Sequence, residues 1–220
     1  MAAGAARRRN RRRTSAGSLS AAPDSTRLLQ ALRQAADALD ALGVPWALVG
    51  GLAVSIRVEP RFTRDIDLAV AAPDDGVAES VVSNLQVRGF SLQLSLEQQA
   101  LGRLAAVRLL PPGGRQEGVV VDLLFSSSGI ESEICRDAER LEIVPGLVAP
   151  VARAGHLVAM KLLALSPDRP QDGIDLRGLI SQLTPDDRAQ ALDAVARIEA
   201  RGAHRGKDLR AELDRWLQHG

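Results

Sequence analysis

The sequence has one cysteine, no tyrosine, three histidines and five aromatic residues, and each shortage closes a class of function. A single thiol, Cys135, makes no internal disulfide and no cysteine-based zinc site. His156, His204 and His219 are scattered without ligand spacing, so any metal is expected on oxygen rather than on nitrogen or sulfur. A lone histidine near a helix start, His156 is read as structural. Trp46, Trp216, Phe62, Phe90 and Phe125 are too few for base-stacking platforms, which speaks against single-strand binding of that kind. No apolar run is long enough to cross a bilayer, and the arginine run near the start leads into Thr-Ser-Ala-Gly-Ser rather than an apolar signal core. The expectation is a cytoplasmic protein without membrane contact.

What is present is ordinary for a soluble globular chain: 45% hydrophobic and 25% charged residues in 220, enough for one catalytic-sized domain with an appendage. The net charge of +1 hides an asymmetry. Residues 1–20 hold six arginines (Arg7, Arg8, Arg9, Arg11, Arg12 and Arg13) and no acid, so the remainder carries 22 basic residues against 27 acidic, a net of −5. A folded surface built around nucleic acid would be basic, and this one is not. The segment 1–23 fits a nucleic-acid arm, a transit-type segment or an extension that never folds; the expectation is a disordered basic tail.

From residue 24 onward the pattern becomes regular. Asp24 is a candidate N-cap, followed by Leu28, Leu32, Ala35, Leu39 and Leu42 at helical spacing and by Gly43 as the stop. Strands are expected at 44–49, 65–70, 90–95, 103–110 and 118–125, with helices at 52–57 and 74–88. Pro-Pro-Gly-Gly makes the last two strands hairpin partners. Beyond residue 125 the pattern is helical, with a short extended piece at 141–144. Ser128 with Glu131, and Thr184 with Asp187, are capping-box pairs. Helices are expected at 129–140, 154–166, 172–182, 185–201 and 206–218. The expected organisation is a mixed sheet-and-helix domain over 24–150 and a helical subdomain over 151–220.

Chemistry concentrates at a few positions. Asp65 and Asp67 stand two apart on a strand, which projects both carboxylates to one face while Ile66 enters the core. Two like charges so close call for an arginine or a cation, and hard oxygen ligands suit Mg²⁺ or Mn²⁺. Asp122 sits within Val119-Val120-Val121-Asp122-Leu123-Leu124-Phe125, so apolar a run that its carboxylate needs a cation, a salt bridge or a helix N-terminus. Gly50-Gly51, between a strand and a short helix, either lets backbone N–H groups approach a phosphate or simply makes a tight turn. Lys161 has Leu157, Val158, Ala164 and Leu165 as helical neighbours and must find an anion: a triphosphate, or one of Asp168, Asp172 and Asp175. Together, a glycine turn, an Asp-x-Asp strand and a later strand with one more aspartate suit a nucleoside triphosphate and two metal ions.

Val49-Gly50-Gly51-Leu52-Ala53, Arg61-Phe62-Thr63-Arg64-Asp65-Ile66-Asp67-Leu68 and Val121-Asp122-Leu123-Leu124 resemble the nucleotidyltransferase fold of the DNA polymerase β superfamily. More narrowly, the chain is similar to the AbiEii/AbiGii-type nucleotidyltransferase toxins of bacterial toxin–antitoxin and abortive-infection systems. The similarity extends through residues 155–164 and through Arg169-Pro170-Gln171-Asp172 with Asp175-Leu176, covering most of residues 44–182. One departure stands out: many superfamily members carry Gly-Ser at the phosphate turn, whereas Leu52 follows Gly51 here. The resemblance implies an α+β fold, a polymerase β-like mixed sheet with helices followed by a C-terminal helical bundle. It implies an enzyme moving a nucleoside monophosphate from a triphosphate to an acceptor hydroxyl. Asp65, Asp67, Asp122 and Lys161 would be catalytic, the three aspartates would hold two Mg²⁺ or Mn²⁺ ions, and Gly50, Gly51, Arg61, Thr63, Lys161 and Asp172 would bind the nucleotide. The implied acceptor is the 3′ end of an RNA such as tRNA, with an antitoxin protein as partner. Transfer to a small molecule, as in antibiotic nucleotidyltransferases, and a non-catalytic nucleotide-binding module are the alternatives.

Overall fold

The computed structural model describes residues 23–219 apart from 60, 62, 99–101 and 115–117. The basic tail therefore lies outside them except for Pro23, as does Phe62 of the second motif. The chain opens with α1 (Pro23–Leu42), whose Leu28, Leu32, Ala35 and Leu39 are buried as their spacing requires. Asp24 lies inside this helix rather than capping it. Then come β1 (Trp46–Val49), α2 (Gly50–Arg57), β2 (Asp65–Val70) and α3 (Asp75–Val87), the last capped by Asp74 through the Val77 N–H at 2.9 Å.

Next are β3 (Ser91–Gln98), β4 (Arg103–Leu110) and β5 (Val120–Leu124). β4 and β5 pair antiparallel across the Pro-Pro-Gly-Gly turn, as expected for a hairpin. The following segment departs from expectation. A shorter helix α4 (Glu131–Asp137) gives way to β6 (Glu139–Val144) and β7 (Leu147–Val151), a hairpin turning at Gly146 with φ +78°. The Ser128 box does not close as a cap: the Glu131 carboxylate accepts from the Ser128 N–H and hydroxyl, at 2.6 and 2.9 Å, while Ile130 is the N-cap. At Thr184 the reciprocal box is complete, and it starts α7 (Pro185–Ala200). The remaining helices are α5 (Ala154–Ala164), α6 (Pro170–Ile180) and α8 (Leu209–His219).

The strands form one sheet of order β3-β4-β5-β2-β1-β7-β6, antiparallel except for β2 with β5 and β1 with β7. Both parallel pairs flank the β1–β2 centre, which places the ends of β1, β2 and β5 together. α1 and α3 pack on the sheet, and α5 packs on α2, α6, α7 and α8. Among the described residues no helix is long and apolar enough to cross a membrane.

Candidate active site

Strand register assembles the centre. Asp67 of β2 lies opposite Val49 of β1 on one side and Asp122 of β5 on the other. Alternation keeps Ile66 and Leu68 fully buried and leaves Asp65 and Asp67 on the opposite face. Immediately after Val49 the chain turns into α2 through Gly50, whose φ of +65° only glycine adopts without strain. A Cβ there would sit 1.8 Å from Asp67 Oδ2, so the glycine is also required by the closeness of turn and carboxylate. At Gly51 a Cβ would come 2.6 Å from Arg61 Nη2, which shows the guanidinium lying on the turn.

The charges around Asp67 are left unbalanced. Burial first, then the Asp122 and Asp65 carboxylates, push its pKa up to about 6, against weaker opposing pulls from Lys161 and the Gly51 N–H. Asp122, by contrast, accepts a two-pronged bond from Arg108, at 2.8 Å from Nε and 2.7 Å from Nη2. That bond, and secondarily the fields of Asp122, Asp65 and Asp67, hold Arg108 protonated against its own burial. Lys161 Nζ stands 2.7 Å from both Asp172 Oδ1 and Asp175 Oδ2 and is buried with them. Arg61 grips Asp175 with Nε and Nη2, each at 2.8 Å. Burial raises the Asp175 pKa, but the hydrogen bonds from Arg61, Lys161 and Gln171 outweigh it and hold the carboxyl below its ordinary range.

Every residue named from the sequence for catalysis, nucleotide or metal lines one cleft of about 410 Å³: Gly50, Gly51, Arg61, Thr63, Asp65, Asp67, Asp122, Lys161 and Asp172. The cleft is the right size for a small-molecule site. Within it, Lys161 is engaged by two of the three carboxylates named as its non-nucleotide partners, and Asp122 has taken the salt bridge among its options. Among the described residues no group of three or more acidic, histidine or cysteine side chains is gathered to hold a metal ion. Asp65 and Asp67 nevertheless supply hard oxygen donors, and with Asp122 beside Asp67 they concentrate negative charge on one face of the sheet. That part of the site fits a divalent cation. His156 is buried with Nε2 3.9 Å from Asp137, does not line the cleft, and has its pKa lowered chiefly by burial, in keeping with a structural role.

Sequence reasoning missed Arg108, Ser127, Ser128 and Arg205, which also line the cleft. Arg205, between α7 and α8, donates to the Ser127 carbonyl at 3.0 Å and so brings the last helices to the site. Counting back across the hairpin pairs Arg108 with Asp122, and this was the available signal.

A profile described as nucleotidyl transferase AbiEii toxin, type IV TA system, matches residues 30–219. The chain belongs to this family of nucleotidyltransferase toxins. Solved structures agree on the fold. An antigenic nucleotidyltransferase-like protein from Paracoccidioides brasiliensis is 19% identical, with 86% of this chain and 93% of that one covered at a TM-score of 0.50. ANT(2'')-Ia in complex with adenylyl-2''-tobramycin is 12% identical, with 80% and 99% covered at a TM-score of 0.51. Curated proteins give no sequence match. The family and the fold make this a nucleotidyl-transferring enzyme with a polymerase β-like α+β architecture.

Proposed function

We propose that this cleft transfers a nucleoside monophosphate from a triphosphate to the 3′ hydroxyl of an RNA such as tRNA, in the manner of a toxin restrained by an antitoxin protein. The observation that carries the reading is Asp67: a crowded carboxylate pressed against a glycine turn and two other aspartates. Asp65 and Asp67 would hold Mg²⁺ or Mn²⁺, with Asp122 completing a second ion site. When bound, such ions neutralise phosphate charge and lower the pKa of an acceptor hydroxyl.

The chain's own residues do the rest. Gly50 and Gly51 let Asp67 and the Arg61 guanidinium close onto the turn, which gathers a cation-holding carboxylate and a phosphate-binding cation at one point. Thr63, on the segment entering β2, offers a hydroxyl to the cleft. Lys161 brings a positive charge whose position is set by Asp172 and Asp175 rather than by its flexible stem. Positioning and charge neutralisation account for phosphoryl-type transfer, which needs little covalent chemistry from the protein. No serine hydroxyl follows Gly51, so side-chain contact to the triphosphate falls to Arg61, Thr63 and Lys161.

The test is incubation with each labelled triphosphate, Mg²⁺ and total RNA, followed by a gel. Label on RNA that disappears in Asp67→Asn is the expected result; transfer at the wild-type rate by that variant contradicts it. A small hydroxylated acceptor is the second reading, favoured by the acidic body of the protein and by the bound adenylyl-2''-tobramycin of ANT(2'')-Ia. Acceptor binding that weakens steeply with salt supports RNA, because phosphate contacts release counterions.

A further inference from the structure

Arg108 is a cleft residue whose partner, Asp122, is one of the carboxylates proposed to hold an ion. It stands directly across from Asp122 on the neighbouring antiparallel strand, on the sheet face that carries Asp65 and Asp67. Both Asp122 oxygens accept from it, at 2.8 and 2.7 Å, which takes one lone pair of each and sets a fixed positive charge beside the carboxylate that a cation would approach. With Asp122 so committed, no three-carboxylate group is assembled among the described residues. Yet the bond is poorly protected: the Arg108 side chain is 44% exposed, against 27% for Arg61 in its two-pronged pair with Asp175. The pair is open to water on its Arg108 side only, Asp122 being 15% exposed, and a divalent ion shared by several carboxylates is held by more charge and more ligands.

We infer that Arg108 is a positioning residue of the ion site, a built-in cation that occupies Asp122 until a second divalent ion displaces it. The inference rests on the nucleotidyl-transfer reading and adds a residue to it. Without Arg108, three carboxylates would face one another with nothing between them; with it, the resting protein folds around a partly neutralised cluster. Release needs only a side-chain rotation toward solvent, with no change in strand register. Arg108 therefore competes with the ion, and its removal should strengthen ion binding rather than weaken it.

The experiment is an Mn²⁺ titration followed by the electron paramagnetic resonance signal of the free ion, on full-length wild type, Arg108→Met, Arg108→Gln and Asp67→Asn. Thermal melts of each with and without Mn²⁺ accompany it. Methionine keeps the apolar stem, and glutamine still hydrogen-bonds Asp122, so at least one charge-free variant keeps the strand pair intact. Both are expected to bind Mn²⁺ about fivefold more tightly than wild type, the order of an exposed ion pair, and to gain more from Mn²⁺ in the melt. Unchanged or weaker affinity in both variants overturns the role. The two levels separate cleanly. If wild-type binding disappears in Asp67→Asn while Arg108→Met matches wild type, only the Arg108 inference fails. If Asp67→Asn and wild type bind alike, the ion site itself fails, and this inference with it.

Discussion

Two crowded carboxylates in this protein meet opposite fates. Glu133 of α4, 10% exposed in its side chain, is held at 3.0 and 2.6 Å by Arg201 and lies 3.6 Å from Arg197, so α4 is tied to α7. The Arg201 hydrogen bonds, outweighing burial, pull its pKa below the ordinary range. Asp67, buried beside two more aspartates, is pushed the other way, to about 6. Glu133 comes with its own guanidinium, whereas Asp67 is crowded by two further carboxylates, the kind of perturbation that accompanies functional sites. Stability and function can therefore be told apart at these two positions by the sign of the shift.

The sharpest way to break this contrast is to neutralise each acid in turn. Asp67→Asn should lower transfer by about 10²–10³-fold or more, measured with labelled triphosphate, since it removes a charge that only the reacting complex uses. The same change should raise the stability of the ion-free protein at pH 7. The gain should be on the order of 1 kcal/mol, Asp67 being only partly shielded from solvent. Gly50→Ala should damage both properties, costing ~1–2 kcal/mol from the left-handed backbone alone before the overlap with Asp67, as read by denaturant unfolding. Glu133→Gln should cost about 1–2 kcal/mol and leave transfer per folded molecule unchanged, its arginines being partly exposed. Thr184→Ala, loss of a cap far from the cleft, should cost ~1 kcal/mol with no effect on transfer.

pH sharpens the comparison further, because the two acids contribute with opposite sign. Glu133 has a lowered folded pKa, so its contribution is full above the ordinary carboxylate range and is lost as pH falls through the folded value. Asp67 has a raised folded pKa, so folding is favoured below the ordinary range and that advantage is lost as pH rises toward about 6. In chelator, Glu133→Gln should flatten the acid limb of the stability profile, and Asp67→Asn should remove the decline between about pH 4 and pH 6.

The strand that bears Asp65 and Asp67 was the most legible part of the molecule. Asp-x-Asp at period two, a hydrophobic residue between, and Gly-Gly after the preceding strand fix which face carries the acids whatever the details of the loops. The Thr184 box was equally readable, since all its partners lie within one turn of helix. Of β6 only the extended piece 141–144 was readable, and β7 was not, because a five-residue strand containing Pro150 next to helical sequence carries little periodicity. Its partner β1 lies about a hundred residues earlier, so no local signal announces the pairing. Arg108 escaped for a related reason: its meaning depends on the residue across the hairpin, and an arginine flanked by apolar residues on a strand reads as an outward-facing surface position. Local chemistry along one strand reads directly, while chemistry made by two strands needs their register.

The account stands or falls on whether Asp67 is a charge waiting for a cation. Thermal melts of wild type and Asp67→Asn at pH 7, in chelator and then with Mg²⁺ and a triphosphate, address this directly. Wild type should gain several degrees from Mg²⁺ and triphosphate, while Asp67→Asn should start higher in chelator and gain little. A variant that melts lower than wild type in chelator, together with a wild type indifferent to Mg²⁺ and triphosphate, would make Asp67 a structural acid and contradict the account.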